Sequence, residues 1–72
     1  MRIVSMKKNK GTIEIETERR FYVIDFLNDK ILSNGQEIKK LSRDFFQACH
    51  DYHEYSVSCS DFGTQEILSK YV

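Results

Sequence analysis

Two cysteines and two histidines are the residues whose types could bind a metal, and they are clustered: Cys49, His50, His53 and Cys59. Cys49 and His53 are four residues apart, so on a helix they would share a face, and Cys59 could join from the next segment. The spacing matches no standard zinc pattern, and a structural zinc site normally closes with four ligands. Cys49 also falls on an apolar stripe, where a free cysteine behaves as a small hydrophobe. We expect no cofactor; a metal site at Cys49, His53 and Cys59 is the lesser alternative.

The same side chains could form a Cys–His nucleophile pair. Catalysis would also require an orienting group and an oxyanion site, and nothing assigns Asp51 or Asp61 to the orienting role. A chain of 72 residues has little room for a substrate cavity of ordinary size. We therefore expect that the protein is not an enzyme.

The length of the chain limits its architecture to one domain, residues 1–72. A chain of this size buries only about 60% of the surface that its unfolded form exposes. The longest uninterrupted apolar run, residues 21–24, is too short for a signal peptide or a membrane span. We expect a cytoplasmic protein with reduced thiols and no membrane contact, in which self-association compensates for a small core.

The net charge is zero, which argues against a simple polyanion binder, but the charge is distributed unevenly. Residues 1–43 carry ten Lys or Arg and six Asp or Glu, whereas residues 44–72 carry one Lys and five Asp or Glu. One interpretation of this asymmetry is chance, with the charged residues lying on solvated faces. The alternative is that the basic end of the sheet binds an acidic partner, or the acidic end of a second copy.

The elements that would position these residues begin with strands. Residues 12–17 alternate Ile13 and Ile15 with glutamates, which is the period-2 pattern of a half-buried strand. Gly11 can adopt the positive φ that a short hairpin loop requires, and Asn34-Gly35 favours a type I′ turn. The expected strands are 2–8, 12–17 and 20–27, followed by a hairpin that pairs 31–32 with 37–38.

Ser42 is placed to cap a helix, because its hydroxyl can accept from the backbone N–H of Asp44 or Phe45. Apolar residues then recur at steps of three and four, which predicts an amphipathic main helix over about 42–54. The sequence therefore predicts an α+β fold. A small antiparallel sheet of three to four strands, an N-terminal meander, should pack against this helix and a short C-terminal one.

The segment that follows the main helix is less regular. Residues 56–60 fit a strand or a loop, because Tyr55, Val57 and Cys59 alternate while serines lie between them. Residues 61–63 are expected to turn. Thr64 is then expected to cap the C-terminal helix, which should run over about 64–71.

Nine Phe and Tyr residues are more than a domain of this length can bury, so some should lie at an interface, where aromatic residues are enriched. The expected function is that of a small cytoplasmic regulatory or inhibitory protein that binds a macromolecular protein partner. Its small size is compatible with an origin in a phage or another mobile element. The residues expected to contact the partner are Tyr22, Lys39, Lys40, Arg43, Tyr52, Tyr55 and Phe62.

Asp25 interrupts the most apolar of the expected strands. A charge in such a strand must be paired, exposed at an edge of the sheet or involved in a function. We expect an outward-facing carboxylate that pairs with Arg20 or Lys30, and a contact with the partner is the alternative.

A nucleic-acid-binding or transcription-associated module is the alternative function, because basic residues are interleaved with aromatic ones. A helix N-terminus with lysines beside it is also a sensible phosphate site. The expected C-terminal helix carries a single Lys and does not look like a recognition element. The residues expected to contact nucleic acid are Lys7, Lys8, Lys10, Lys39, Lys40 and Arg43.

The stretch ILSNGQEIKKLSRDFFQA, followed later by TQEILSKYV, resembles the front half of winged-helix DNA-binding domains of response regulators and of CadC- and ToxR-like activators. The resemblance covers about residues 21–72 and implies a truncated winged-helix platform. The matching positions are Asn34, Gly35, Ile38, Leu41, Ser42, Phe46, Thr64, Glu66, Leu68 and Val72.

The chain departs from that family in the parts that read DNA. The recognition helix and the wing hairpin of the family have no counterpart in these residues, and the segment 55–63 is longer than the usual link between the helices. The matching residues are scaffold residues. The resemblance therefore implies a sheet-and-helix platform suited to protein contacts, and assigns no DNA-contacting residue.

Overall fold

The computed structural model describes residues 2–55 and 62–72 and has an α+β fold. The elements are β1 (Ile3–Lys8), β2 (Thr12–Thr17), β3 (Phe21–Asp25), β4 (Lys30–Ser33), β5 (Gln36–Ile38), α1 (Arg43–Tyr55) and α2 (Phe62–Ser69). The five strands form one antiparallel sheet in the order β1-β2-β3-β4-β5, so each strand pairs with its neighbour in sequence. The predicted α+β meander with two helices is confirmed, and the sheet has one strand more than the upper expectation.

Two hairpin turns have the backbone conformation that their sequences predict. Asn34 and Gly35, between β4 and β5, have φ angles of 49° and 83°, the left-handed values that a type I′ turn requires. Gly11, between β1 and β2, has a φ of 89°, a conformation in which a side chain would be strained. These two turns set the register of the two outer strand pairs.

β3 ends at Asp25, two residues earlier than the apolar pattern predicts. The Asp25 carboxylate accepts hydrogen bonds from the Asn28 backbone N–H at 3.2 Å and from the Asn28 side-chain amide at 2.9 Å. Asn28, rather than Arg20, is therefore its hydrogen-bond partner, while Lys30 lies opposite it in the register.

The hydrogen bonds from Asn28 lower the pKa of Asp25 below its ordinary value of 3.8, and the charge of Lys30 adds to this effect. A lowered pKa in the folded state stabilises that state when the carboxyl is ionised. The contribution is fully present above the unfolded-state pKa, and it is lost as the pH falls through the lower folded-state pKa.

One face of the sheet, which we call the inner face, carries the hydrophobic core. Ile13 and Ile15 of β2 are fully buried, as are Ile24 of β3 and Ile31 of β4, because alternate residues of a strand point to the same face. Residues of both helices complete the cluster, so the helices cover this face. The core consists of Ile3, Ile13, Ile15, Tyr22, Ile24, Ile31, Leu41, Phe45, Cys49 and Leu68.

Ser42 caps α1, as predicted. Its hydroxyl accepts from the backbone N–H of Phe45 at 3.1 Å, and its carbonyl accepts from the N–H of Phe46 at 3.0 Å. Phe45 then enters the core, where its ring stacks on Tyr22 with 4.3 Å between the ring centroids and 16° between the planes. This stack joins the main helix to the central strand.

Replacing Ser42 by alanine should lower the free energy of unfolding by about 1 kcal/mol, because the N–H of Phe45 loses its acceptor. Ser42→Asn retains an acceptor, and asparagine is as good a cap as serine, so we expect a smaller loss. Urea denaturation followed by circular dichroism measures both values. Equal losses in the two variants would show that the cap does not contribute.

α2 begins at Phe62, whereas the sequence predicts a turn over 61–63 and a helix over 64–71. Thr64 is therefore not the N-cap: it lies inside the helix and is 2% exposed, so it contributes to packing instead. Leu68 is fully buried and faces the core as predicted. The alternatives for 56–60 concern a segment outside the described residues.

The residues after α2 attach it to the sheet. The backbone N–H of Leu41 donates to the carbonyl oxygen of Tyr71 at 2.6 Å, and the Tyr71 hydroxyl donates to Oδ1 of Asp29 at 3.0 Å. Burial and the hydrogen bond to Asp29 raise the pKa of Tyr71 above its ordinary value of 10.0. The hydroxyl therefore keeps its proton, and its bond to the β3–β4 turn, at neutral pH.

Candidate binding groove

A pocket of about 480 Å³ lies at the end of the sheet where β2 turns into β3. We call it the arginine pocket, because three of its six lining residues are arginines. Glu18 also lines it, so the formal charge of the lining is +2. The lining residues are Arg2, Thr17, Glu18, Arg19, Arg20 and Tyr22.

Thr17 holds the turn that presents two of these arginines. Its hydroxyl oxygen accepts from the N–H of Arg20 at 3.0 Å and donates to the carbonyl of the same residue at 3.1 Å. The Arg20 guanidinium donates to the Ser33 hydroxyl at 3.2 Å. The Arg19 backbone N–H donates to the Thr17 hydroxyl at 3.4 Å. Among the described residues, the side chains of Arg2 and Arg19 have no hydrogen bond or ion pair, so their guanidinium groups are available to a ligand.

A second pocket, of about 350 Å³, lies between the start of β1 and one face of α1, and we call it the acidic pocket. Arg2 lines both pockets, so the two are adjacent, and we call them together the groove. Gln47 donates its side-chain amide to Oδ1 of Asp51 at 3.0 Å, which orders two of the groups on this helix face. The lining residues are Arg2, Ile3, Asp44, Gln47, Ala48, Asp51 and Tyr52.

The groove thus joins a basic half to an acidic half, with a tyrosine in each. Guanidinium groups bind carboxylates in a bidentate geometry, and carboxylates bind Lys and Arg side chains. Tyrosine adds apolar area with a hydroxyl that can form hydrogen bonds. This arrangement is suited to binding a polar segment that carries both signs of charge.

Two of the predicted aromatic contacts, Tyr22 and Tyr52, line the groove but differ in how far they are buried. Tyr22 was expected at a contact surface, but it is only 8% exposed and stacks on Phe45, because its side chain points to the inner face. Its remaining exposed edge lines the arginine pocket. Tyr52 is half-buried and lines the acidic pocket. Tyr55 and Phe62 are described only as backbone positions of α1 and α2, so the prediction for their side chains lies outside the described part of the structure.

The predicted basic contacts do not line the groove. Lys39, Lys40 and Arg43 are exposed and follow β5, one edge of the sheet. Lys7, Lys8 and Lys10 lie at the end of β1, the opposite edge. Four strand spacings, about 19 Å, separate the two edges. The residues predicted to bind nucleic acid are therefore two separate clusters.

Sequence reasoning missed the three arginines of the groove. The sequence predicts a turn at Arg19, a strand start and a pair with Asp25 for Arg20, and a strand start for Arg2, but no binding role for any of them. The predicted strands were sufficient to place Arg2 near Arg19, because an antiparallel β1–β2 pair places the first residues of β1 beside the end of β2. Ile3 lies opposite Thr17 in the observed register.

Cys49 is a core residue and is poorly suited to metal binding. It is fully buried, and burial raises the pKa of its thiol to about 12, so the thiolate that a metal needs is scarce at neutral pH. His50 is exposed on α1. Within the described ranges no three His, Cys, Asp or Glu side chains could hold a metal ion together. Cys59 and the side chain of His53 are outside the described part of the structure.

The buried thiol should resist alkylation. In a Cys59→Ser background at pH 7.5, we expect iodoacetamide to modify Cys49 at least about 1,000-fold more slowly in the folded protein than in 6 M urea. The reason is that both access and thiolate formation require opening of the core. Mass spectrometry of timed samples measures the rates, and Cys49→Ser is the blank. Comparable rates in the two conditions would contradict the burial of this residue.

Comparisons of the chain with protein-family models, curated proteins and solved structures found no match. The resemblance to winged-helix domains therefore stays a prediction. Within residues 2–55 and 62–72, no helix is long and apolar enough to cross a membrane.

Proposed function

We propose that this chain is a small cytoplasmic regulatory or inhibitory protein that binds a macromolecular protein partner and performs no catalysis. The groove is the observation that carries the proposal, because it combines unpaired arginines with carboxylates and two tyrosines. Arg and Tyr are among the residues that contribute most to binding energy at protein interfaces.

The charge layout of the groove indicates the kind of segment it would bind. An acidic side chain of the partner would lie in the arginine pocket, against Arg2 and Arg19. A Lys or Arg of the same segment would lie in the acidic pocket, against Asp44 and Asp51. Charges arranged in this way fix the orientation of a bound segment and reject segments of the opposite polarity.

The size of the protein is compatible with regulation by masking. A standard protein interface uses about 800 Å² per partner, which is about 15% of the accessible surface of 5232 Å². A partner site covered by a domain of this size would be closed to other macromolecules. The protein would then act as an inhibitor by occupying that site.

Affinity capture followed by measured affinities tests the proposal. Tagged protein is used to isolate a stoichiometric partner from cells that contain it, and the affinity of the purified pair is measured by calorimetry. We expect Arg19→Glu and Asp51→Lys, one from each half of the groove, to weaken binding at least tenfold. The activity of the partner should change when the wild-type protein binds.

Two matched controls carry the same charge changes outside the groove. Lys70→Glu and Glu66→Lys alter exposed residues that line neither pocket, and should bind within about twofold of the wild type. Capture of no stoichiometric partner would contradict protein binding. Full affinity in both groove variants would contradict the assignment of the groove.

A further inference from the structure

The sheet face opposite the helices, which we call the outer face, is not covered by any described residue of the core cluster. The strand registers place Lys7, Glu14, Val23, Leu32 and Glu37 side by side across the five strands, in that order. Their side chains point away from the inner face, because their neighbours along the strands point toward it. This row therefore has a basic residue at one edge, with Glu14 directly beside it, an apolar centre at Val23 and Leu32, and an acidic residue at the other edge.

The centre of the outer face is apolar and accessible. Phe21 is 43% exposed, and Val23 and Leu32 are half-buried. None of these three side chains belongs to the core cluster or packs against it. The face therefore offers apolar area that burial against another surface would remove from water.

The two ends of the row carry opposite charges, on Lys7 and on Glu37. Among the described residues, neither Lys7 nor Glu37 has an ion pair or a side-chain hydrogen bond. They lie on the two edge strands, about 19 Å apart across four strand spacings. A complementary surface would have to present an acid and a base at the same separation, which a second copy of this face does.

Symmetry decides how a second copy would fit. If the two copies are related by a twofold axis parallel to β3, β1 of each copy faces β5 of the other. Lys7 of each copy then faces Glu37 of the other, and Val23 faces Val23. An axis across the strands would instead place Lys7 on Lys7. Facing sheets pack with their strands rotated by about 30°, which displaces the ends of the row by about 5 Å, a distance that a lysine side chain spans.

Two of the other charges near the axis, Glu14 and Asp25, are already compensated within the chain, whereas the exposed Glu16 lies on the same face opposite Phe21. Glu14 accepts a hydrogen bond from the Asn9 side-chain amide at 2.7 Å. Asp25 accepts two from Asn28 and lies opposite Lys30. Lys7 and Glu37 are therefore the charges that distinguish this arrangement from the alternatives.

We propose that two copies of the protein associate through their outer faces, with Lys7 of each paired to Glu37 of the other. This goes beyond the binding of a partner, because the groove lies on the helix side and stays open in the dimer. The face measures about 19 by 17 Å from strand spacing and rise, or roughly 650 Å² over the two copies, which is below the range of stable protein interfaces and typical of weak, transient contacts. Association should therefore be reversible, with a dissociation constant of about 0.1–1 mM.

Sedimentation equilibrium of the full chain, up to about 1 mM, tests the proposal. We expect a monomer–dimer equilibrium for the wild type and at least tenfold weaker association for Lys7→Glu and for Glu37→Lys. An equimolar mixture of these two variants should regain the wild-type affinity, because both cross-pairs are then attractive. The double variant Lys7→Glu/Glu37→Lys should regain it too. Lys70→Glu and Glu66→Lys are the controls, because both residues lie on the helix side of the sheet, and they should dimerise as the wild type does.

Several outcomes would overturn the proposal: a monomeric wild type at 1 mM, undiminished association in both single variants, or a mixture of folded single variants that stays monomeric. Lys7→Glu places a glutamate opposite Glu14, so folding is checked by circular dichroism. If a single variant is unfolded, the test depends on the double variant. Dimerisation of the double variant with the wild-type affinity would support the charge pairing, and a monomeric double variant would overturn it.

Discussion

Phe45→Ala should lower the free energy of unfolding by about 3–5 kcal/mol, the usual loss for truncating a buried phenylalanine. Phe45 is 2% exposed and stacks on Tyr22, so the variant leaves a cavity between the main helix and the central strand. A domain of 72 residues has a total stability of about 4–11 kcal/mol. The variant should therefore melt at least about 12 °C lower, as measured by circular dichroism.

Phe46→Ala is the matched control, because it makes the same change one residue along the same helix. Phe46 is only half-buried against the core, and we expect a loss of about 1–2 kcal/mol. Equal losses in the two variants would contradict the placement of Phe45 in the core.

Leu68→Ala should lower the free energy of unfolding by about 2–5 kcal/mol, because Leu68 is a fully buried apolar residue of α2 in the core. Loss of this contact should also weaken the hydrogen bonds that follow it, from Leu41 to Tyr71 and from Tyr71 to Asp29. Urea denaturation monitored by both near-UV and far-UV circular dichroism measures the effect. The two probes should give one transition, since small domains unfold cooperatively.

Ile67→Ala provides the comparison for Leu68, since it truncates a neighbour that is only partly buried. Its loss should be smaller, about 1–2 kcal/mol. If Leu68→Ala unfolds the protein no more easily than Ile67→Ala does, α2 does not contribute to the core as described.

Features that depend on neighbouring residues were predictable from the sequence. Asn34-Gly35 requires left-handed dihedrals, and Ser42 supplies an acceptor three residues before Phe45, so turn and cap follow from local chemistry. The strand count was less predictable. Whether the β4–β5 hairpin extends the sheet depends on its pairing with β3, which local sequence does not determine.

Features that depend on how elements come together were not predictable in the same way. Apolar residues lie on both faces of β3, so its pattern does not say whether Phe21 or Tyr22 points to the helices. The observed register puts Tyr22 in the same row as Ile15, and hence in the core. Arg2 likewise joins Arg19 only because the first hairpin closes.

The strictly sequential order of the sheet has a consequence for how the protein folds. Each hairpin joins strands that are adjacent in the chain, so relative contact order is low and little loop-closure entropy opposes the early steps. The hydrogen bond from Tyr71 to Asp29 spans 42 residues and should form late. Stopped-flow kinetics should therefore show that Leu68→Ala speeds unfolding more than it slows folding, whereas a slowed folding rate would place α2 in the nucleus.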